Sequence, residues 1–330
     1  MKYILKSVCF CLTICAAAAC SNENESVALQ GSGDPIILDA RIEQPHSNRT
    51  IMEGADPKTT TWAVGDKVCL SGTANVPDAN GNGIDKTIDL GPGFYEYKEN
   101  GSWNYTDGAT QPIIWKASEI KVSGVFPAKD VTGTQVTNRA FTLGTDQQTA
   151  AKQGNNDYMT ADETTQNASE NNKPGEDNRK VTLTFKHQLA QLAITIASMG
   201  TELNGATISK VEVRSKTVLS NTTWSDPAYI TACGATAGQK DNVYIALVAP
   251  EKPDDISPAN PFIKVTLSNG TVVTLSTLPS NLTFEKGKQH TLALHVGHDE
   301  ITVDAASITI GDWGANTDVT GDTPGDTDEE

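Results

Sequence analysis

Ala17-Ala-Ala-Cys20 sets a thiol directly behind a run of small residues, and no other spacing in the chain points as clearly to a covalent chemistry. Lys2 and Lys6 form a positive n-region, and an apolar run from Val8 to Ala19 follows. That run is shorter than the roughly 20 residues a membrane-spanning helix needs, so residues 1–19 read as a signal peptide. A cysteine placed there looks like a bacterial lipobox, in which the thiol is diacylated. The expectation is a chain tethered to a membrane through Cys20 and working outside the cytoplasm.

A second arrangement could hold a metal. Asp78, Asn80, Asn82 and Asp89 fall at positions 1, 3, 5 and 12 of a loop with Gly83 at position 6, the spacing by which an EF-hand wraps Ca²⁺. Three features count against it. Asp89 is shorter than the usual bidentate Glu, Asp85 stands at a position normally apolar, and Leu90-Gly-Pro-Gly93 breaks any following helix. A plain Gly/Asn-rich β-loop is therefore preferred, and no metal or other cofactor is expected. His46, His187, His290, His295 and His298 have no zinc-ligand spacing. His187 lies on the apolar face of its segment and reads as a core histidine. There is no G-x-S-x-G elbow, so no catalytic residue is assigned and an enzyme is not expected.

The elements that would position these groups are strands. The chain has 330 residues, 27 Gly and 15 Pro, and no sustained helical periodicity. Its net charge of −16 makes nucleic acid a poor partner. Cys69 and Cys233 make no disulfide framework and read as small buried hydrophobes. Residues 20–33 are polar and Gly/Ser-rich, a flexible tether. Ile36–Glu43 then alternates as a strand, with Ile36, Leu38, Ala40 and Ile42 on one face and Asp39, Arg41 and Glu43 on the other. Asn100-Gly101 between Phe94–Tyr97 and Ser102–Tyr105 marks a hairpin. Residues 144–178 read as a long polar loop and the best domain boundary. In Val181–Ile196 the apolar parity changes, which calls for a bulge or tight corner near Gln188-Leu189. Short strand signals continue through Ile301–Val303 and Ile308–Ile310, and residues 321–330 form an acidic tail. The fold class is all-β.

Several of these segments together resemble the fimbrillin family, the lipoprotein-derived pilins of Bacteroides-type bacteria. Trp62-Ala-Val-Gly65-Asp66-Lys-Val resembles its W-x-x-G-D-x-[IV] motif, preceded by Arg49-Thr50. Ile113-Ile-Trp115 and Val125-Phe126-Pro127 resemble its mid-domain strands, and Tyr158-Met159-Thr-Ala161 resembles the small motif near the end of its first domain. Val181-Thr-Leu-Thr-Phe185-Lys-His187-Gln-Leu189-Ala190, Phe284-Glu-Lys-Gly287 and Ile310-Gly-Asp312-Trp313 complete the series.

The resemblance implies two transthyretin-like β-sandwich domains in tandem, at about residues 34–178 and 179–320. It also implies assembly into a pilus at the outer membrane and cell surface. A surface protease would cut after an arginine, matched here by Arg49 with the Arg49–Thr50 bond. The strand carrying Ile36, Leu38, Ala40 and Ile42 would leave, and a neighbouring subunit's strand would fill the groove. Partners would be other fimbrial subunits and, for a tip subunit, a host or bacterial surface ligand. Beyond Trp313 the chain lacks the alternation of a donor strand, so stem and tip roles both stay open. The competing reading is a cell-surface lipoprotein that binds glycan without polymerising, using Trp103, Tyr105 and Trp224 as stacking platforms.

Overall fold

The computed structural model describes residues 35–43, 61–77, 84–106, 111–115, 119–128, 140–167, 179–203, 205–234, 242–278, 282–303 and 308–313. The first half is one seven-stranded sheet. Its strands are β1 (Ile37–Ile42), β2 (Lys67–Pro77), β3 (Ile84–Tyr97), β4 (Trp103–Tyr105), β5 (Glu119–Phe126), β7 (Met159–Asn167) and β8 (Lys180–His187), in the order β1-β8-β7-β5-β2-β3-β4. All neighbours are antiparallel except β1 and β8. The sheet curls until β4 and β1 come within 8 Å. It wraps a core that includes Leu70, Tyr95, Ile113, Ile120, Val122, Leu183 and Phe185. Gly124 admits that curl, because a Cβ there would sit 2.7 Å from the Phe185 ring.

The second half is a pair of sheets. β6 (Phe141–Thr142), β10 (Ile208–Ser220), β11 (Thr223–Thr231), β13 (Ile263–Leu267) and β14 (Val272–Leu275) make one. β9 (Ala190–Met199), β12 (Val243–Val248), β15 (Lys288–Val296), β16 (Ile301–Val303) and β17 (Thr309–Asp312) make the other. Val211, Val213 and Val265 from the first join Leu192, Ile194, Leu292 and Leu294 from the second in one buried cluster. That is the inner filling expected of a sandwich.

The two halves are interleaved, which departs from the expected boundary at 178/179. Lys180–His187, read as opening the second domain, completes the first sheet between β1 and β7. Its alternate burial suits either core, so sequence alone does not say which it joins. The parity change marks the crossing: Gln188 donates to the Tyr158 carbonyl, and β9 begins in the other sheet at Ala190. Conversely, Phe141 and Leu143 pack into the second core although they precede β7. Cys69 and Val125 of the first sheet also contribute to that cluster.

The expected loop over 144–178 contains structure. α1 (Ala150–Gly154) is one short helix, capped at its N-terminus by the Thr149 side chain, and β7 follows it. Both are poor in apolar residues because hydrogen bonds hold this region. Gln147, fully buried, presents its side-chain amide to the edge of β12. It accepts from Leu247 N at 2.8 Å and donates to Leu247 O at 3.2 Å, the pair of bonds a neighbouring strand would make. Gln153 donates to Ile245 O on the same edge at 3.0 Å.

Gln147→Ala leaves both backbone groups of Leu247 without their partner, so we expect a loss of about 2–4 kcal/mol in denaturant unfolding. Gln148→Ala, at an exposed neighbour, should stay within about 0.5 kcal/mol of the parent.

Candidate functional site

The strand singled out by sequence is seated at one end of the first sheet. Ile36, Leu38, Ala40 and Ile42 are each no more than 9% exposed, while Ile37 is 40% exposed and Arg41 points to solvent. On one side β1 pairs in parallel with β8, from Ile37 opposite Lys180 to Ile42 opposite Phe185. Among the described residues no strand lies along its other side. Among those residues two hydrogen bonds reach it there: Ile36 N donates to Ile113 O at 2.9 Å, and the Trp62 indole donates to Ala40 O at 2.8 Å. β1 therefore fills the seam where the curled sheet would otherwise gape.

Trp62 explains the motif that carries it. Its ring meets Trp103, Phe126 and Phe185 edge-on at 5.0–5.4 Å, so one side chain bridges the core and the backbone of β1. The turn after it fixes that position. Gly65 adopts φ +95°, a conformation that strains other residues. Gly65 N donates to Tyr97 O, and Tyr97 N donates to Asp66 O. The Asp66 carboxylate accepts from Ala63 N at 2.8 Å. Burial, with the nearby Asp157 charge adding to it, holds the Asp66 carboxyl above the ordinary 3.8, against the lowering effect of the Ala63 bond. Asp39, on the outer face of β1, behaves oppositely. Burial tends to raise it, but bonds to Arg41 and Lys180 outweigh that and leave it below its ordinary value.

The remaining sequence candidates fall as follows. Cys20, Arg49 and Thr50 lie outside the described residues, as do Asp78, Asn80 and Asn82. Asp89 sits in β3 opposite Thr73. The exit half of the proposed Ca²⁺ loop, Ile84–Asp89, is thus extended strand, where an EF-hand loop must curl back on its ligands. Among the described residues no group of three or more potential metal ligands forms. Cys69 and Cys233 are buried and not disulfide-bonded.

The proposed stacking platforms are occupied. Trp103 is buried against Trp62, Trp224 is buried near Phe141, and Tyr105 packs on Tyr95. His187 is buried with Nδ1 2.8 Å from Asp157 Oδ1, and its ring stacks on Trp313. Sequence reasoning missed the Trp62 clamp, because a single aromatic beside a turn carries no periodic signal. It missed the parallel partnership with β8 for a similar reason, since the two strands lie about 140 residues apart.

Fold and site together define an all-β protein whose first strand is held at a one-sided seam. The sequence matches the fimbrillin-like family model over residues 55–313, and the chain belongs to that family. The family is one of fimbrial structural and adhesion proteins at the cell surface rather than of enzymes. Two solved structures are similar in fold. One is a candidate cell adhesion protein from Bacteroides ovatus, 16% identical, with a TM-score of 0.54 over 86% of this chain and 98% of that one. Another, from Bacteroides uniformis, is 20% identical, with a TM-score of 0.50 over 86% of this chain and all of that one. The sequence matches none of the curated proteins.

Two outcomes follow from this geometry. Trp62→Phe keeps a ring but removes the donor to Ala40, which should cost about 1–2 kcal/mol in denaturant unfolding and speed amide exchange across residues 37–42. For Asp66 the folded carboxyl binds its proton more tightly than the unfolded one. Its contribution is therefore favourable below the ordinary value of 3.8 and is lost as pH rises through the folded value. Asp66→Asn keeps the acceptor for Ala63, so it should gain stability over the parent from about pH 3 to pH 7; a constant difference across that range would refute this assignment.

Proposed function

We propose that this protein is a fimbrial subunit that assembles by strand exchange at the β1 seam. The observation that carries this reading is the combination of one-sided pairing and deep burial in β1. The three buried branched side chains of this segment, Ile36 just before β1 with Leu38 and Ile42 in it, together contribute about 5–9 kcal/mol of apolar burial. That is comparable with the whole stability of an ordinary domain, about 5–15 kcal/mol. A subunit that loses β1 therefore keeps an apolar groove and an unpaired β8 edge, and both favour capture of another strand. Any extended segment with apolar residues at two-residue spacing meets the requirement.

In this reading Cys20 carries the lipid that brings the chain to the outer membrane. Cleavage at Arg49–Thr50 then separates residues 36–43 from the rest. Arg41 is the poorer target, because it is laddered opposite Thr184 and paired with Asp39. The partners are other fimbrial subunits, with a host or bacterial surface ligand if the subunit sits at the tip. A non-polymerising glycan binder is disfavoured, since Trp103 and Trp224 are buried and Tyr105 is packed against Tyr95.

Sheared surface material tests this directly. N-terminal sequencing should begin at Thr50, and unboiled samples should run as a ladder in a denaturing gel. A blocked, acylated Cys20 on a single band would contradict the proposal, as would an Arg49→Ala chain that still polymerised.

A further inference from the structure

β8 serves two clients. Residues 180–185 hold β1 in register, and two residues further on His187 holds the C-terminal strand. The His187 imidazole lies flat on the Trp313 indole, with centroids 4.0 Å apart and planes 5° from parallel. Asp157 fixes the imidazole from its edge at 2.8 Å. Both rings are buried, at 7% exposure for His187 and 5% for Trp313.

Ile308, just before β17, is half-buried against the second core, and among the described residues β17 itself buries little. Its four residues are exposed or half-buried, and Ile310 is 50% exposed. The Lys288–Asp312 pair lies at the surface, where such pairs are worth about 0–1 kcal/mol. Among the described residues the backbone bonding of β17 is a four-residue ladder with β15, closed by Trp313 N donating to Gly287 O at 3.1 Å. Trp313 is thus the buried anchor beside β17; it belongs to the second core, and His187 reaches it from the first sheet. The end of β1 and the residue after β17 also meet in space. Ile42, the last residue of β1, and Trp313 line one cavity of about 510 Å³, together with Trp62 and Asp157.

We propose that occupancy of the β1 seat and docking of β17 are energetically coupled through β8 and the His187–Trp313 stack. When β1 is present, β8 is laddered to β1 over 180–185 and to β7 over 185–187, the two ladders meeting at Phe185, and His187 is held opposite Met159 where Trp313 can stack. When β1 leaves, β8 becomes the sheet edge and Ile42 is withdrawn from the shared cavity. The stack loses support, and β17, held otherwise by the second-core contacts of Ile308 and Trp313, is loosened. Filling the groove re-docks it. The C-terminal strand thereby reports whether the groove is filled, so an empty subunit also carries a loosened terminus. Its role in assembly order rests on the strand-exchange reading, but the coupling is a property of a single chain.

Coupling of this kind is reciprocal, so it can be read in the intact chain without cleaving it. Trp313→Ala in the full-length protein should speed amide exchange not only at 309–312 but also at 37–42, by about fivefold or more. Trp313→Phe, which can still stack, should restore both segments. Val265→Ala, a core truncation in β13 remote from the junction, controls for general loosening and should leave 37–42 at the parent rate. The proposal is overturned if Trp313→Ala loosens 309–312 alone, or if Val265→Ala accelerates 37–42 as much. Either result would leave strand exchange standing, and failure to polymerise would leave this coupling standing.

Discussion

A single hydrogen bond from the Trp62 indole to the Ala40 carbonyl, 2.8 Å long, ties the first strand to the core of the first sheet. It matters because of where it falls. A seven-stranded sheet that curls on itself has two ends to reconcile, and here β1 and β4 approach without forming a ladder. The space between them is filled by aromatic rings and by the segment around Ile113, whose amide donates to the Tyr95 hydroxyl at 3.1 Å. β1 is consequently buried like an interior strand but bonded like an edge strand. Burial makes its loss costly, and one-sided bonding gives it a way out.

The interleaving of the two halves follows from the same economy of edges. β8 lies in the first sheet and β9 in the second, so the corner at Gln188-Leu189 joins the two cores with no flexible linker. The Phe141–Tyr158 region answers it from the other direction, with Phe141 and Tyr158 stacked in the second core at 4.6 Å. Gln147 and Gln153 then cover the edge of β12 with side-chain amides. Edges closed by side chains stay closed, whereas the edge of β8 is covered by a strand joined to the rest through residues 44–60. That contrast is the physical ground for proposing exchange at the β1 seam.

Much of this was legible locally. The alternation of Ile36 to Ile42 identified the strand and its buried face, because one-sided burial writes a two-residue period into the sequence. Asn100-Gly101 located the hairpin, with Gly101 at φ +78° and Tyr97 opposite Trp103. The parity change located the corner. What stayed hidden is set by long-range pairing or by polar contacts. β7 is exposed over its far half and has no apolar rhythm, and α1 depends on a Thr cap and buried glutamines. The sheet to which Lys180–His187 belongs is fixed by partners far away in the chain. Of the site itself, the strand and its W-x-x-G-D motif were visible, while the clamp that unites them required the fold.

The central claim is that the seat of β1 is a preformed cleft that accepts a replacement strand. It is tested most directly by titrating a chain beginning at Thr50 with a synthetic peptide of residues 35–43, followed by tryptophan fluorescence and calorimetry. Saturable one-to-one binding is predicted, and it should be lost when Leu38 and Ile42 of the peptide are both replaced by Asp. A folded monomer that ignores the native peptide, or that binds the substituted peptide equally well, would contradict the account.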